Sequence, residues 1–105
     1  MKHSKTKTSY YRRLYVAYLI DSGINTVPAI IEATGMPRRT AQATINALSE
    51  FDIKCDHIGA KKSGEYKVTN WAAIQKTWIK NNLQHIKDVL EYPQVKYKTE
   101  GILQR

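Results

Sequence analysis

A chain of 105 residues is long enough for one domain with a modest core, and an apolar fraction of 42% excludes wholesale disorder. Seventeen Lys+Arg against nine Asp+Glu, a formal net charge of +8, point to an anionic partner. Cys55 is the one cysteine and cannot form an internal disulfide, and no apolar run approaches the ~18 residues of a membrane span, so a cytoplasmic protein with no membrane contact is expected.

The excess charge is uneven: Lys2, Lys5, Lys7, Arg12 and Arg13 all precede the first acidic residue, Asp21. Residues 1–8, "MKHSKTKT", are polar and basic with nothing to pack, and they read as a flexible arm. Ser9 can cap a helix running to about Ser22, which Gly23 ends. Its apolar residues surround the axis, with Leu14, Ala17 and Tyr18 on one side and Tyr15, Val16, Leu19 and Ile20 elsewhere. Such a helix is expected at the centre of the domain or between two bodies. Its segment "LYVAYLI" is too short for a secretory leader and reads as core. Tyr10, Tyr11, Tyr15 and Tyr18 are expected to pack rather than to stack on bases.

Thr26 is the next N-cap candidate, and Pro28 falls in the first turn of a helix Val27–Thr34, where its missing N–H does no harm. Gly35 stops that helix, and the turn Gly35-Met36 leads to Pro37 and a third helix over 37–49. There Ala41, Thr44, Ile45 and Leu48 share one face, while Arg39, Gln42, Ala43 and Asn46 point the other way. Residues 53–58, "IKCDHI", and 65–69, "EYKVT", read as two strands of a hairpin whose loop, Gly59 to Gly64, carries Lys61 and Lys62 at its tip. Asn70 can cap a last helix over 71–92, stopped by Pro93, and 93–105 is a tail. On that helix Trp71, Ile74, Trp78 and Val89 form one apolar stripe, and Ile79, Leu83, Ile86 and Leu90 a second about a quarter-turn away. One stripe can pack on the domain and the second form the seam of a homodimer; a single broad core face is the alternative.

The run "IIEATGMPRRTAQATINAL" from Ile30 to Leu48, followed by "GAKKSGEYKVTNWA" from Gly59 to Ala72, resembles a winged helix-turn-helix domain. The wider run "RRLYVAYLIDSGINTVPAIIEATGMPRRTAQATINAL" is similar to a small, poorly characterised family of bacterial winged-helix proteins. The resemblance implies a mainly helical fold with a β-hairpin wing, over 9–69, followed by the C-terminal helix. Two positions depart from the pattern: Ala41 stands where a larger β-branched residue is frequent, and Pro37 where a capping serine is usual.

The resemblance further implies that the third helix enters the major groove of double-stranded DNA with its N-terminal half. Arg39 can then reach guanine and Gln42 or Asn46 adenine, with Ala43 on the same reading face. Arg38 and Thr40 suit phosphate, and Lys61 and Lys62 the backbone or minor groove. A bacterial transcriptional regulator acting as a homodimer is the expectation. A protein-interaction module on the same scaffold, or sequence-tolerant DNA binding in replication or phage biology, are the alternatives. His3, His57 and His85 are scattered, and Cys55 with His57 makes only two of the ligands a zinc site needs. No nucleophile–base set and no phosphate loop is evident, so no enzyme activity, metal or cofactor is expected.

Overall fold

A computed structural model describes residues 3–59 and 64–92 of the chain. Its elements are helices α1 (Lys5–Asp21), α2 (Val27–Thr34) and α3 (Arg38–Ala47), a 3₁₀ turn (Leu48–Phe51), strands β1 (Lys54–Ile58) and β2 (Glu65–Asn70), and helices α4 (Lys76–Asn81) and α5 (Leu83–Leu90). The two strands are antiparallel, with Cys55 opposite Val68 and His57 opposite Tyr66, and the register shifts between Lys54 and Cys55. This is the mainly helical fold with a hairpin wing that the sequence implied.

The first helix starts earlier than Ser9. Ser4 is its N-cap, accepting a hydrogen bond from the Lys7 amide at 3.1 Å, so Lys5 to Thr8 are helical rather than a free arm. Ser9 lies within the helix, where its carbonyl accepts from Arg13 at 3.1 Å. The expected capping at α2 is present: the Ala29 amide donates to Thr26 Oγ1 at 3.2 Å, and Gly35 closes the helix at φ +80°. That left-handed conformation is the one that favours glycine.

α1 is shared by two cores. Val16, Ala17 and Ile20 meet Val27 and Ile30 of α2, Met36 of the turn that follows it, Ala41 and Ile45 of α3, and Leu48, Ile53 and Val68. Leu14, Tyr15 and Leu19 meet Ile79 and Ile86 on the other side. A helix apolar around most of its circumference is thereby satisfied without any exposed stripe. Three of its tyrosines sit in ring contacts within the protomer: Tyr10 against Phe51, Tyr11 against Trp78 and His85, and Tyr15 against Tyr92.

The C-terminal region departs most from expectation. Asn70 does not start a helix; its Oδ1 accepts from the Ala72 amide at 2.7 Å, and Ala72 takes φ +55°. The chain turns through Trp71 to Gln75 before α4 begins. α4 and α5 are then separated at Asn82, whose side-chain amide donates to the Trp78 carbonyl at 2.8 Å. Asparagine competes for backbone groups in this way and is a weak helix former, and the pair Asn81-Asn82 concentrates that weakness at one point. The kink turns Ile79 and Ile86 onto α1, where both are 0% exposed. Leu83 and Leu90 pack partly buried against the same cluster. The stripe of Ile79, Leu83, Ile86 and Leu90 is therefore core of one protomer, and its two isoleucines are not available as a dimer seam. The large apolar side chain left exposed in this region is Trp78, at 41%.

Candidate nucleic-acid interface

The angle between α2 and α3 is set by a short polar device. Thr34, only 4% exposed, donates from Oγ1 to the Ile30 carbonyl at 2.8 Å and accepts from the Met36 amide at 3.2 Å. It thus supplies a partner to an amide that the turn would otherwise bury unpaired. Met36 enters the core beside it, as a plug between the two helices. Pro37 provides no side-chain cap, yet its extended backbone (φ −64°, ψ 154°) starts α3, and its carbonyl accepts from the Ala41 amide at 3.0 Å. The first amides of α3 consequently face outward without a capping oxygen, where the helix dipole favours an anion.

Around that end stand Arg38 and Arg39, both exposed, and Thr40, half-buried. Lys76 pairs with Asp21, and neither arginine enters an ion pair among the described residues. Further along, Ala43 and Asn46 are exposed and Gln42 is half-buried, while Ala41, Thr44 and Ile45 face the core. Ala41, which departs from the common pattern, is 0% exposed, so the smaller side chain is enclosed. The structure therefore brings Arg38, Arg39, Thr40, Gln42, Ala43 and Asn46 together on one helix, on the side away from the core.

The wing approaches this helix through Tyr66. Its backbone amide donates to the Asn25 carbonyl at 2.8 Å, and its hydroxyl accepts from Gln42 Nε2 at 3.1 Å. Gln42 Nε2 also donates to Asn46 Oδ1 at 3.2 Å. On the opposite strand His57 lies against the Tyr66 ring, centroids 4.9 Å apart. Tyr66 was not among the residues expected at the interface; the motif "EYKVT" marked its strand, but nothing local reveals a contact 24 positions away. At the neck of the hairpin Gly59 takes φ +100°, and a Cβ there would stand 3.4 Å from the Gly64 Cα. Lys61 and Lys62, expected at the tip, lie outside the described residues.

A helix held by a tight glycine turn, presenting arginines and amides outward beside a β-hairpin, agrees with the family comparison. The model of the winged helix-turn-helix family matches residues 5–90. The chain belongs to the winged helix-turn-helix family. A solved structure of a DUF2131 family protein from Shewanella amazonensis SB2B superposes with a TM-score of 0.81 at 26% identity, covering 88% of this chain and 92% of that one. No curated protein matches the chain. Among the described residues of this winged-helix protein no group of three or more His, Cys, Asp or Glu is placed to hold a metal ion, and no helix is long and apolar enough to cross a membrane. Cys55 packs half-buried on the first core cluster, and burial, then the neighbouring Asp56 charge, push its thiol up to about 11. It is a packing residue held in the neutral form.

Proposed function

We propose that this protein binds double-stranded DNA with α3 in the major groove and regulates transcription as a sequence-specific, cytoplasmic factor. The observation that carries the reading is the outward face of α3, where Arg39, Ala43 and Asn46 are exposed beside an uncapped helix start. In the major groove Arg39 suits guanine O6 and N7, and Gln42 and Asn46 carry the amides that read adenine. Arg38, Thr40 and the first α3 amides suit the flanking phosphates, and Lys61 and Lys62 the backbone or minor groove beyond them. The net charge of +8 supports the same partner.

A homodimer belongs to this proposal, on a surface other than buried Ile79 and Ile86. Selection of bound duplexes from a randomised pool tests both parts. An enriched inverted repeat is expected, because operator symmetry mirrors protein symmetry. Binding without enrichment would favour a sequence-tolerant role, and no binding at low salt would leave the interaction module. The open groove lined by Tyr10, Tyr11, Ile74 and Trp78, about 290 Å³, is the feature that favours that second reading.

A further inference from the structure

We propose that the band of rings crossing α1, formed by Phe51, Tyr10, Tyr11 and Trp78, is the seam of the homodimer, and that its occupant is the same band of a second copy. The inference deepens the homodimer part of the reading above. It is measured without DNA, so its failure and a failure of DNA binding are separate results.

The band is continuous. Tyr10 meets the Phe51 ring at 5.7 Å between centroids and the Tyr11 ring at 6.1 Å, and Tyr11 meets Trp78 at 6.2 Å. These contacts leave much of two rings uncovered. Trp78 is 41% exposed and Tyr10 38%, and with Ile58 they are the large apolar side chains exposed among the described residues. Beside them runs the groove lined by Tyr10, Tyr11, Leu14, Ile74, Gln75 and Trp78, with no charged side chain on its walls. An uncharged aromatic groove stands out on a chain of net charge +8. Aromatic anchors in a patch depleted of charge mark the centre of a protein interface. At about 290 Å³ the groove falls just under the ~300–1,000 Å³ of small-molecule pockets, and it suits a large side chain entering from outside.

Two features select a copy of the chain as occupant. The patch holds both halves of a contact, a projecting ring at Trp78 and a groove beside it. A two-fold dimer needs both, because one patch serves on each subunit. The two ends of the band also differ in charge. Lys7 stands over the Tyr11 ring, 5.6 Å from its centroid. At the other end Phe51 is flanked in the chain by Glu50 and Asp52, both exposed, and neither enters an ion pair among the described residues. Arg13 also lies there, 5.8 Å from the Phe51 ring, but it is half-buried and donates to the Ser9 carbonyl of its own protomer. A two-fold axis through the middle of the band reverses the second copy. Each Lys7 end then lies on the Glu50 and Asp52 end of the other. A partner of uniform charge would match one end and be repelled by the other.

The position agrees with the DNA-binding reading. Phe51 closes the 3₁₀ turn that follows α3, whereas Arg38 and Arg39 begin α3, about 15 Å away along the helix axis. A seam on the band leaves the uncapped start of both α3 helices free.

The test is sedimentation of the full chain without DNA, from ~1 to ~200 µM. Wild type should pass from monomer to dimer within that range, as at micromolar affinity. Trp78→Ala should weaken the dimer about thirtyfold or more, the effect of truncating a central aromatic anchor. Charge reversal gives a second arm that leaves the packed rings intact. Lys7→Glu alone, and Glu50→Lys with Asp52→Lys, should each weaken self-association about three- to tenfold. Mixing those two variants should restore the dimer, because both ends of the mixed seam meet opposite charge again. A merely structural role for these residues would give no gain on mixing, and absence of that gain overturns the proposal whatever Trp78→Ala does. The mixture therefore decides if Trp78→Ala does not fold. A wild type that stays monomeric at ~200 µM also overturns it, and leaves the groove to a different protein. So does a dimer that none of these variants weakens, which would put the seam elsewhere.

Discussion

Among single residues, Thr34 carries more than its size suggests. It is the last residue of α2, and its hydroxyl joins the Ile30 carbonyl to the Met36 amide across the turn. Thr34→Val keeps the shape but leaves that amide buried without an acceptor, which costs about 1–3 kcal/mol. Urea denaturation should show the loss, and Thr34→Ser should restore most of it; equal midpoints for wild type and the valine variant would assign the turn to Gly35 and Met36 alone. Cys55 makes a prediction of a different kind. Burial holds its thiol neutral up to about 11 in the folded chain against 9.0 when exposed, so below 9 both states keep the proton and stability is unaffected. Between those limits only the unfolded chain releases it, and stability falls as pH rises. The half-buried Tyr92 phenol is shifted up by burial as well and adds a loss of the same sign at alkaline pH. The urea midpoint should therefore decline through the alkaline range, and Cys55→Ala should decline less steeply. Parallel curves would mean that the thiol is solvated.

At the level of elements, legibility followed the range of the interactions involved. α2 ends at the residues foreseen because Thr26, Pro28 and Gly35 act within a few positions of themselves. The buried and outward faces of α3 were likewise visible, since Ala41, Thr44, Ile45 and Leu48 repeat at helical spacing and all four are buried. The N-terminal arm was misplaced by a competition between two serines: Ser4 and Ser9 both suit a cap, and local chemistry does not choose. The C-terminal helix was misread because apolar spacing runs unbroken from Ile74 to Leu90, whereas Asn82 divides it by bonding to the Trp78 carbonyl. Only the position of α1 then shows that Ile79 faces inward. This changes what a substitution there reports. Ile79→Ala should cost about 2–5 kcal/mol as a buried cavity, and Ile79→Glu should unfold the protein rather than dissociate a dimer. Denaturation followed alongside sedimentation distinguishes these; a folded Glu variant of lower mass would restore the seam to this stripe.

Among the described residues the molecule places basic groups at separated points, the exposed start of α3 and α1, whose N-terminal turns carry Lys5 and Lys7, and the proposed interface adds Lys61 and Lys62. Groups distributed in this way bind a polyanion by displacing its counterions, and each phosphate neutralised on duplex DNA adds about 0.9 to the slope of log K against log salt. Base contacts act at particular sequences and leave that slope nearly unchanged. The two contributions can therefore be separated in one protein. Replacing Lys61 and Lys62 with alanine should lower the slope by about 1.8 on preferred and random duplexes alike, if the wing tip meets two phosphates. Arg39→Ala should instead weaken the preferred site by about 5- to 150-fold, with a smaller loss on random DNA. Titrations across salt on both duplexes check the pair together. An unchanged slope in the double lysine variant would put the wing tip away from the backbone. Equal losses on both duplexes for Arg39→Ala would make Arg39 a phosphate contact and leave base reading to Gln42 and Asn46, the two side chains already joined on the same face of α3.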